Sequence, residues 1–327
     1  MGTKSVKLHL CWRDEGLTFS GCDCFAKQTQ CQDLRKNQER VALIHAFADG
    51  PYNRSSFHLA GDAKPVSYVA ARIALKAIQG LEAMENPHDE DQARHPFAGM
   101  VDHVSVMPLV GTDNPTPAPH GHETAFQPAT PSGQAARSIG RCLSNAGVQV
   151  FYYGTAHPDN TPLARVRREK TNFFDSVDKS APLSSKGTAT VGAPFAFVEN
   201  FNVRLTSKCG FPLAKQLTKT LRERDGGLRG VEALTLPYSD GRHEIACNLL
   251  CPHEVSSKAI EAKTNEWAKN QMGTSSFRSM DDIIETAYRV GTTAKQCESV
   301  LELYDSPGKI SEHDQRVSDL LSGYLLG

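Results

Sequence analysis

The stretch VALIHAFADGPYNRSSFHLAGDAKPVSYVAARIALKAIQGLEAM, residues 41–84, decides the fold. VALIHAF (41–47) is an apolar run of strand length. SSFHLA (55–60) alternates after the turn-forming DGPYN, so the two runs read as a hairpin. Lys64 and Pro65 then open a segment in which Val66, Val69, Ala70, Ile73, Ala77, Leu81 and Met84 recur at steps of three and four. Proline fits the first turn of a helix, where its missing N–H has no partner to lose. The pattern predicts an amphipathic helix packed on a sheet.

Working outward, the polar ENPHDEDQARHP (85–96) reads as a surface loop that delivers the chain to His95, and DHVSVMPLV (102–110) as the next strand. GTDNPTPAPHGHETAFQPATP (111–131) holds too much proline for a regular core element. SGQAARSIGRCLSNAG (132–147) suits a helix, while VQVFYYG (148–154) and KLHLC (7–11) suit strands. The first half is therefore expected to form one mixed sheet with helices.

A second half is expected after the small and charged DSVDKSAPLSSKGTATVG (175–192). It contains a strand ending in FNVRL, a helix PLAKQLTKTLRERDGG closed by Gly226 and Gly227, and the strands GVEALTLP and HEIACNLL. This order echoes the first half and predicts two related α/β subdomains. SSKAIEAKTNEWAKNQ (256–271), MDDIIETAYRVG (280–291) and SEHDQRVSDLLSGYLLG (311–327) all read as helices, available to cover a sheet or support a dimer.

Charge excludes some functions. With 36 basic and 37 acidic side chains, no whole-molecule field draws in nucleic acid or an anionic membrane. No apolar run is long enough to span a bilayer, and the N-terminus lacks the apolar core of a signal peptide, so a cytoplasmic location is expected. Nine scattered cysteines suit a reducing compartment with free thiols. Cys22, Cys24 and Cys31 cluster, as do Cys247, Cys251 and His253, but neither group has paired CxxC spacing, and packing is preferred over metal for both.

RHPFAGMVDHVSVMPLVG (94–111) places His95 before a proline, which restricts the histidine to extended backbone angles and holds its ring off the sheet edge. His103 falls inside a strand and reads as structural. Asp102 could orient a ring or close a strand. RVRREK (165–170) reads as a solvated helix surface, with a ligand carrying several carboxylates as the alternative.

Several ordered blocks carry a resemblance through most of the chain: ADGPYNRSSFHLAG (48–61), HPFAGMVDHVSVMPL (95–109), YYGTA (152–156), KGTATVGAPFAFVENFNVRL (186–205), RDGGLRGVEALTL (224–236) and IACNLL (245–250). In these the chain resembles the formiminotransferase domain of formiminotransferase-cyclodeaminase and its stand-alone plant-type relatives. The resemblance implies an α+β fold of two ferredoxin-like α/β-sandwich subdomains with a cleft between them, divided here as 1–186 and 187–327. It implies a glutamate formimidoyltransferase activity: transfer of the formimino group of N-formiminoglutamate to N5 of tetrahydrofolate as co-substrate, with release of glutamate. No metal or redox cofactor is implied, a homodimer is, and the chain ends where a cyclodeaminase domain would begin, so that activity is expected to be absent.

By the same resemblance the catalytic histidine falls on His95, with Asp49 the nearest counterpart of its acidic partner. An imidazole titrating near neutral pH can take a proton from one nitrogen and deliver it to another. As a plain residue in DGPYN, Asp49 is equally an ordinary turn aspartate. The folate-binding loop falls on Asp178, Lys179, Ser180, Ala181, Pro182, Leu183, Ser184, Ser185, Lys186 and Gly187, a segment that composition alone would read as a linker.

Two departures stand out. The family places an arginine after His-Pro where this chain has Phe97, with Arg94 ahead of the histidine instead. A phenyl ring cannot grip a carboxylate as a guanidinium does. CWRDEGLTF (11–19) keeps Glu15 and Gly16 of a PNFSEG-like loop without its asparagine. A folate-binding protein with lost catalysis, or a non-enzymatic interaction protein, are therefore the alternatives.

Overall fold

The computed structural model describes residues 5–13, 40–52, 54–82, 95–109, 130–174, 187–272 and 277–304. Several expectations lie outside them: the cysteine cluster at 22–31, Glu15 and Gly16, Arg94, most of the proline-rich segment, and the helix expected at 311–327.

The quoted stretch folds as its periodicity predicts. β2 (Val41–Asp49) and β3 (Arg54–Asp62) form an antiparallel hairpin, and α1 (Ala63–Glu82) follows directly. Val66, Ala70, Ala74, Ile78 and Leu81 are buried, one stripe of the helix laid on the sheet. β1 (Ser5–Arg13) pairs antiparallel with both β3 and β4 (Val101–Pro108). α2 (Pro131–Asn145) begins with proline at its first turn, and Thr130 caps it by accepting the Gly133 N–H at 3.0 Å. β5 (Gln149–Gly154) and the short α3 (Leu163–Lys170) complete the run.

One segment differs from its reading. Thr188–Ala193, expected within a loop, is β6, hydrogen-bonded in parallel to β4 on one side and β5 on the other. Its Ala189, Val191 and Ala193 are buried in the core, while Thr190 and Gly192 take the opposite face. The small residues that suggested a loop are those that fit a strand buried on both faces. The resulting sheet is six-stranded and mixed, in the order β2-β3-β1-β4-β6-β5.

The chain forms two compact units. The first takes in the described residues of the N-terminal part and of 96–195 together with α6 (Ala294–Tyr304), because β6 is bonded into its sheet and α6 packs on β2 and β3. The second is Ala196–Thr292, with which His95 is grouped.

The second unit runs β7 (Glu199–Leu205), α4 (Phe211–Leu221), β8 (Val231–Pro237), β9 (His243–Leu249), α5 (Ser257–Met272), β10 (Ile284–Val290). Its sheet is antiparallel throughout, ordered β10-β7-β9-β8. Alternate residues Phe201, Val203, Leu205 and Ile245, Cys247, Leu249 meet Leu217, Leu221, Ile260 and Trp267 in its core. β10 corrects the helix expected over 280–291: hydrogen bonding to β7 overrides the local periodicity, and only Met280–Asp282 makes a helical turn.

Burial pushes the Cys247 thiol up to about 12. At pH 8 its thiolate fraction is then about 10⁻⁴, whereas Cys142 is exposed. A thiol reagent applied to native protein at pH 8 should label Cys142 and leave Cys247 untouched until denaturant unfolds the second core. Mass spectrometry of the labelled peptides checks this, and equal labelling of both would refute the packing. Among the described residues no group of three His, Cys, Asp or Glu is placed to hold a metal, and no helix is long and apolar enough to cross a membrane.

Candidate functional site

The end of the β2–β3 hairpin and the start of β4 are brought together by one buried carboxylate. Asp102, only 1% exposed at its side chain, accepts from the Arg54 Nη2 at 2.6 Å. Its other oxygen accepts the Ala98 N–H at 2.7 Å. Arg54 uses Nη1 as well, donating to the Pro96 carbonyl at 3.3 Å. A second guanidinium, Arg167 from α3, approaches the same Asp102 oxygen at 3.4 Å and lies 4.0 Å over the Phe173 ring. RVRREK is therefore not uniformly solvated: Arg167 is turned inward, while Arg165 pairs with Glu169 along the exposed face.

These bonds hold Pro96 and Ala98, the residues on either side of Phe97. His95 is half-buried and precedes Pro96 by one peptide bond, so its backbone is restricted to extended angles next to a held residue. Asp49 sits directly opposite Arg54 in the hairpin register. One of its carboxylate oxygens accepts the Tyr52 N–H at 3.2 Å, the ordinary role of a turn aspartate. The structure thus places Asp49 at the same sheet end as Arg54 and Asp102.

Of the segment expected to bind folate, Asp178–Lys186 lie outside the described residues. Gly187 is described, with φ +71°, in an isolated bridge to Gly99. A Cβ at Gly187 would come within 2.9 Å of the Gly99 Cα. Its lack of a side chain lets the backbone approach the His95 segment, and the neighbouring Thr188 N–H donates to the Ala98 carbonyl at 3.3 Å. The segment expected to meet folate therefore ends against the segment that carries His95.

His103 behaves as a structural residue. Its Nε2 lies 2.9 Å from the Tyr153 hydroxyl, and burial, then the nearby Arg167 and Arg54 charges, hold its pKa well below the usual histidine range. The ring stays neutral at physiological pH.

Two features escaped the sequence reading. The first is the Arg54–Asp102 pair: a hairpin arginine and a residue at the start of the next strand give no local sign that they pair. The second is on the helix-free face of the second sheet, where Glu244 is fully buried. It accepts from Asn202 at 2.7 Å, from the Tyr288 hydroxyl at 2.7 Å and from the Arg204 Nε at 3.1 Å. Arg204 also stacks 3.7 Å from the Tyr238 ring centroid. Burial, followed by the Glu244 charge, raises the Tyr288 pKa, so that hydroxyl remains a donor.

Comparison with known proteins bears on the first unit. The formiminotransferase domain, N-terminal subdomain, matches residues 26–195, just over half of the chain. The chain belongs to the formiminotransferase family. The formiminotransferase match spans the hairpin, the His95 segment and β6. A "Formiminotransferase cyclodeaminase-like protein" of Arabidopsis thaliana is 24% identical over 242 residues, covering 68% of this chain and 76% of that protein. Among solved structures, the periplasmic protease PqqL from Escherichia coli aligns over 99% of this chain and 41% of its own, at 11% identity and a TM-score of 0.20. A conserved protein from Enterococcus faecalis V583 aligns over 97% and 84%, at 9% identity and the same TM-score of 0.20. Scores so low say nothing of the fold of this formiminotransferase relative.

Proposed function

We propose that this formiminotransferase-family chain is a folate-dependent one-carbon transferase that moves the formimino group of N-formiminoglutamate to N5 of tetrahydrofolate. The observation that carries the reading is the meeting of the His95 segment, held by Arg54 and Asp102, with the end of the 178–187 segment at the Gly99–Gly187 bridge. In the transfer a bond forms between N5 and the formimino carbon, and the bond from that carbon to the glutamate nitrogen breaks. N5 loses a proton and the departing nitrogen gains one. His95 takes the first and returns it to the second, with neither metal nor redox partner in the balance. Asp49 is proposed as the acidic partner that sets the tautomer of His95, and the lysines at 179 and 186 as cations facing the anionic tail of folate. The β-α-β-β-α-β order of the second unit supports the ferredoxin-like reading of that half.

Purified full-length protein should release glutamate from N-formiminoglutamate only when tetrahydrofolate is present. Release without folate, or none with it, rejects the reading.

Phe97 favours a second reading, a folate binder with little catalysis, because its ring offers nothing to the donor carboxylates. Phe97→Arg is expected to lower the KM for N-formiminoglutamate about tenfold or more, one charge-assisted contact being worth about 1.5–3 kcal/mol. Tetrahydrofolate binding by calorimetry beside a blank assay in both forms would select the second reading instead.

A further inference from the structure

We propose that Arg54 and Asp102 are positioning residues that set the orientation of His95; the proposal rests on the transferase reading above. The two side chains and the chain from Pro96 to Ala98 close a ring of hydrogen bonds. Arg54 Nη1 holds the Pro96 carbonyl at 3.3 Å, Arg54 Nη2 holds Asp102 at 2.6 Å, and Asp102 holds the Ala98 N–H at 2.7 Å. Every contact in the ring is charge-assisted, and the side chains that make them are only 14% and 1% exposed. The Ala98 carbonyl is held from the other side by the Thr188 N–H.

The consequence for His95 follows from covalent geometry. Pro96 has its φ fixed by its ring and its carbonyl fixed by Arg54, and a residue before proline is confined to extended angles. The Cα–Cβ direction of His95 is then confined to the range those extended angles allow, and two side-chain torsions place the ring. Arginine is required at 54 because its planar fork addresses a carbonyl and a carboxylate at once; lysine carries the charge without the second contact. Asp102 is required as an anion because two guanidinium groups converge on it. Neither residue transfers a proton; each acts through the backbone that carries the histidine.

The test uses full-length protein and the near-isosteric variants Arg54→Lys and Asp102→Asn, with Arg54→Ala for chemical rescue. Glutamate release, tetrahydrofolate binding by calorimetry, thermal melting and hydrogen exchange of the 95–100 peptide are measured on each. Both near-isosteric variants are expected to stay folded, to lose about 10–100-fold in kcat as the histidine is misplaced, and to keep KM for tetrahydrofolate within about threefold. Ala98 exchange should accelerate in both, and added guanidinium ion should restore part of the rate to Arg54→Ala. Wild-type kcat in folded variants, or a rate loss fully matched by the unfolded fraction, overturns the proposal. A wild-type protein with no turnover overturns the transferase reading instead; the clamp is then decided by exchange, and unchanged Ala98 protection in both variants refutes it.

Discussion

His95→Ala is expected to lower the rate of glutamate release about 10²–10⁴-fold, the usual range for removing a general acid–base group, while tetrahydrofolate binding and the melting temperature stay near wild type. The ring is half-buried on an irregular segment outside both hydrophobic cores, so truncating it opens no large cavity. The backbone around it is held by Arg54 and Asp102 through the Pro96 carbonyl and the Ala98 N–H. The effect should therefore fall on kcat. Activity retained in a folded His95→Ala protein would remove the histidine from the mechanism and leave the family relationship intact.

The largest stability effect is expected in the second unit. Arg204→Met should cost about 3–5 kcal/mol, because it leaves the fully buried Glu244 without its cation. Asn202 and Tyr288 would still donate to the carboxylate, but neither carries charge. Urea denaturation should show the midpoint falling with little change in slope. The double variant Arg204→Met with Glu244→Leu should recover much of the loss, since apolar residues of similar volume replace a buried pair at small cost. A loss below about 1 kcal/mol in the single variant would mean that water reaches Glu244 and that the pair is an ordinary surface bridge.

How far the fold could be read in advance depended on how local its causes are. The hairpin at DGPYN and the helix of 63–82 follow from turn chemistry and a period near 3.6, both contained within about twenty residues. Their positions agree with the structure to within a residue or two. β6 and β10 were misread because their strand character comes from partners far away in the chain. TATVGA becomes a strand between β4 and β5, and IETAYRV becomes one beside β7, whose ladder outweighs the helical spacing of its apolar residues. A segment that pairs on both edges needs little propensity of its own.

The candidate site shows the same division. His95, its proline and Asp49 could be picked out by type and order along the chain, because the two blocks that contain them, 48–61 and 95–109, are each continuous. Arg54 and Asp102 are 48 residues apart and meet only when the hairpin and β4 are joined through β1. Arg167 is 65 residues from Asp102, and its neighbours in RVRREK made it look solvated.

The amino-acid order by itself determined which segments carry apolar stripes, where turns must fall, the absence of a strong net field, and the family to which the motif blocks belong. These rest on interactions between near neighbours or on composition, which need no three-dimensional arrangement. Only the tertiary structure decided that a small-residue stretch is a central strand, that Gly187 abuts Gly99, that Glu244 is fully buried, and that one carboxylate fastens the His95 segment. Each of those depends on groups distant in sequence being held within about 3 Å of one another, a separation that hydrogen bonds and close backbone contacts require and that no local pattern records.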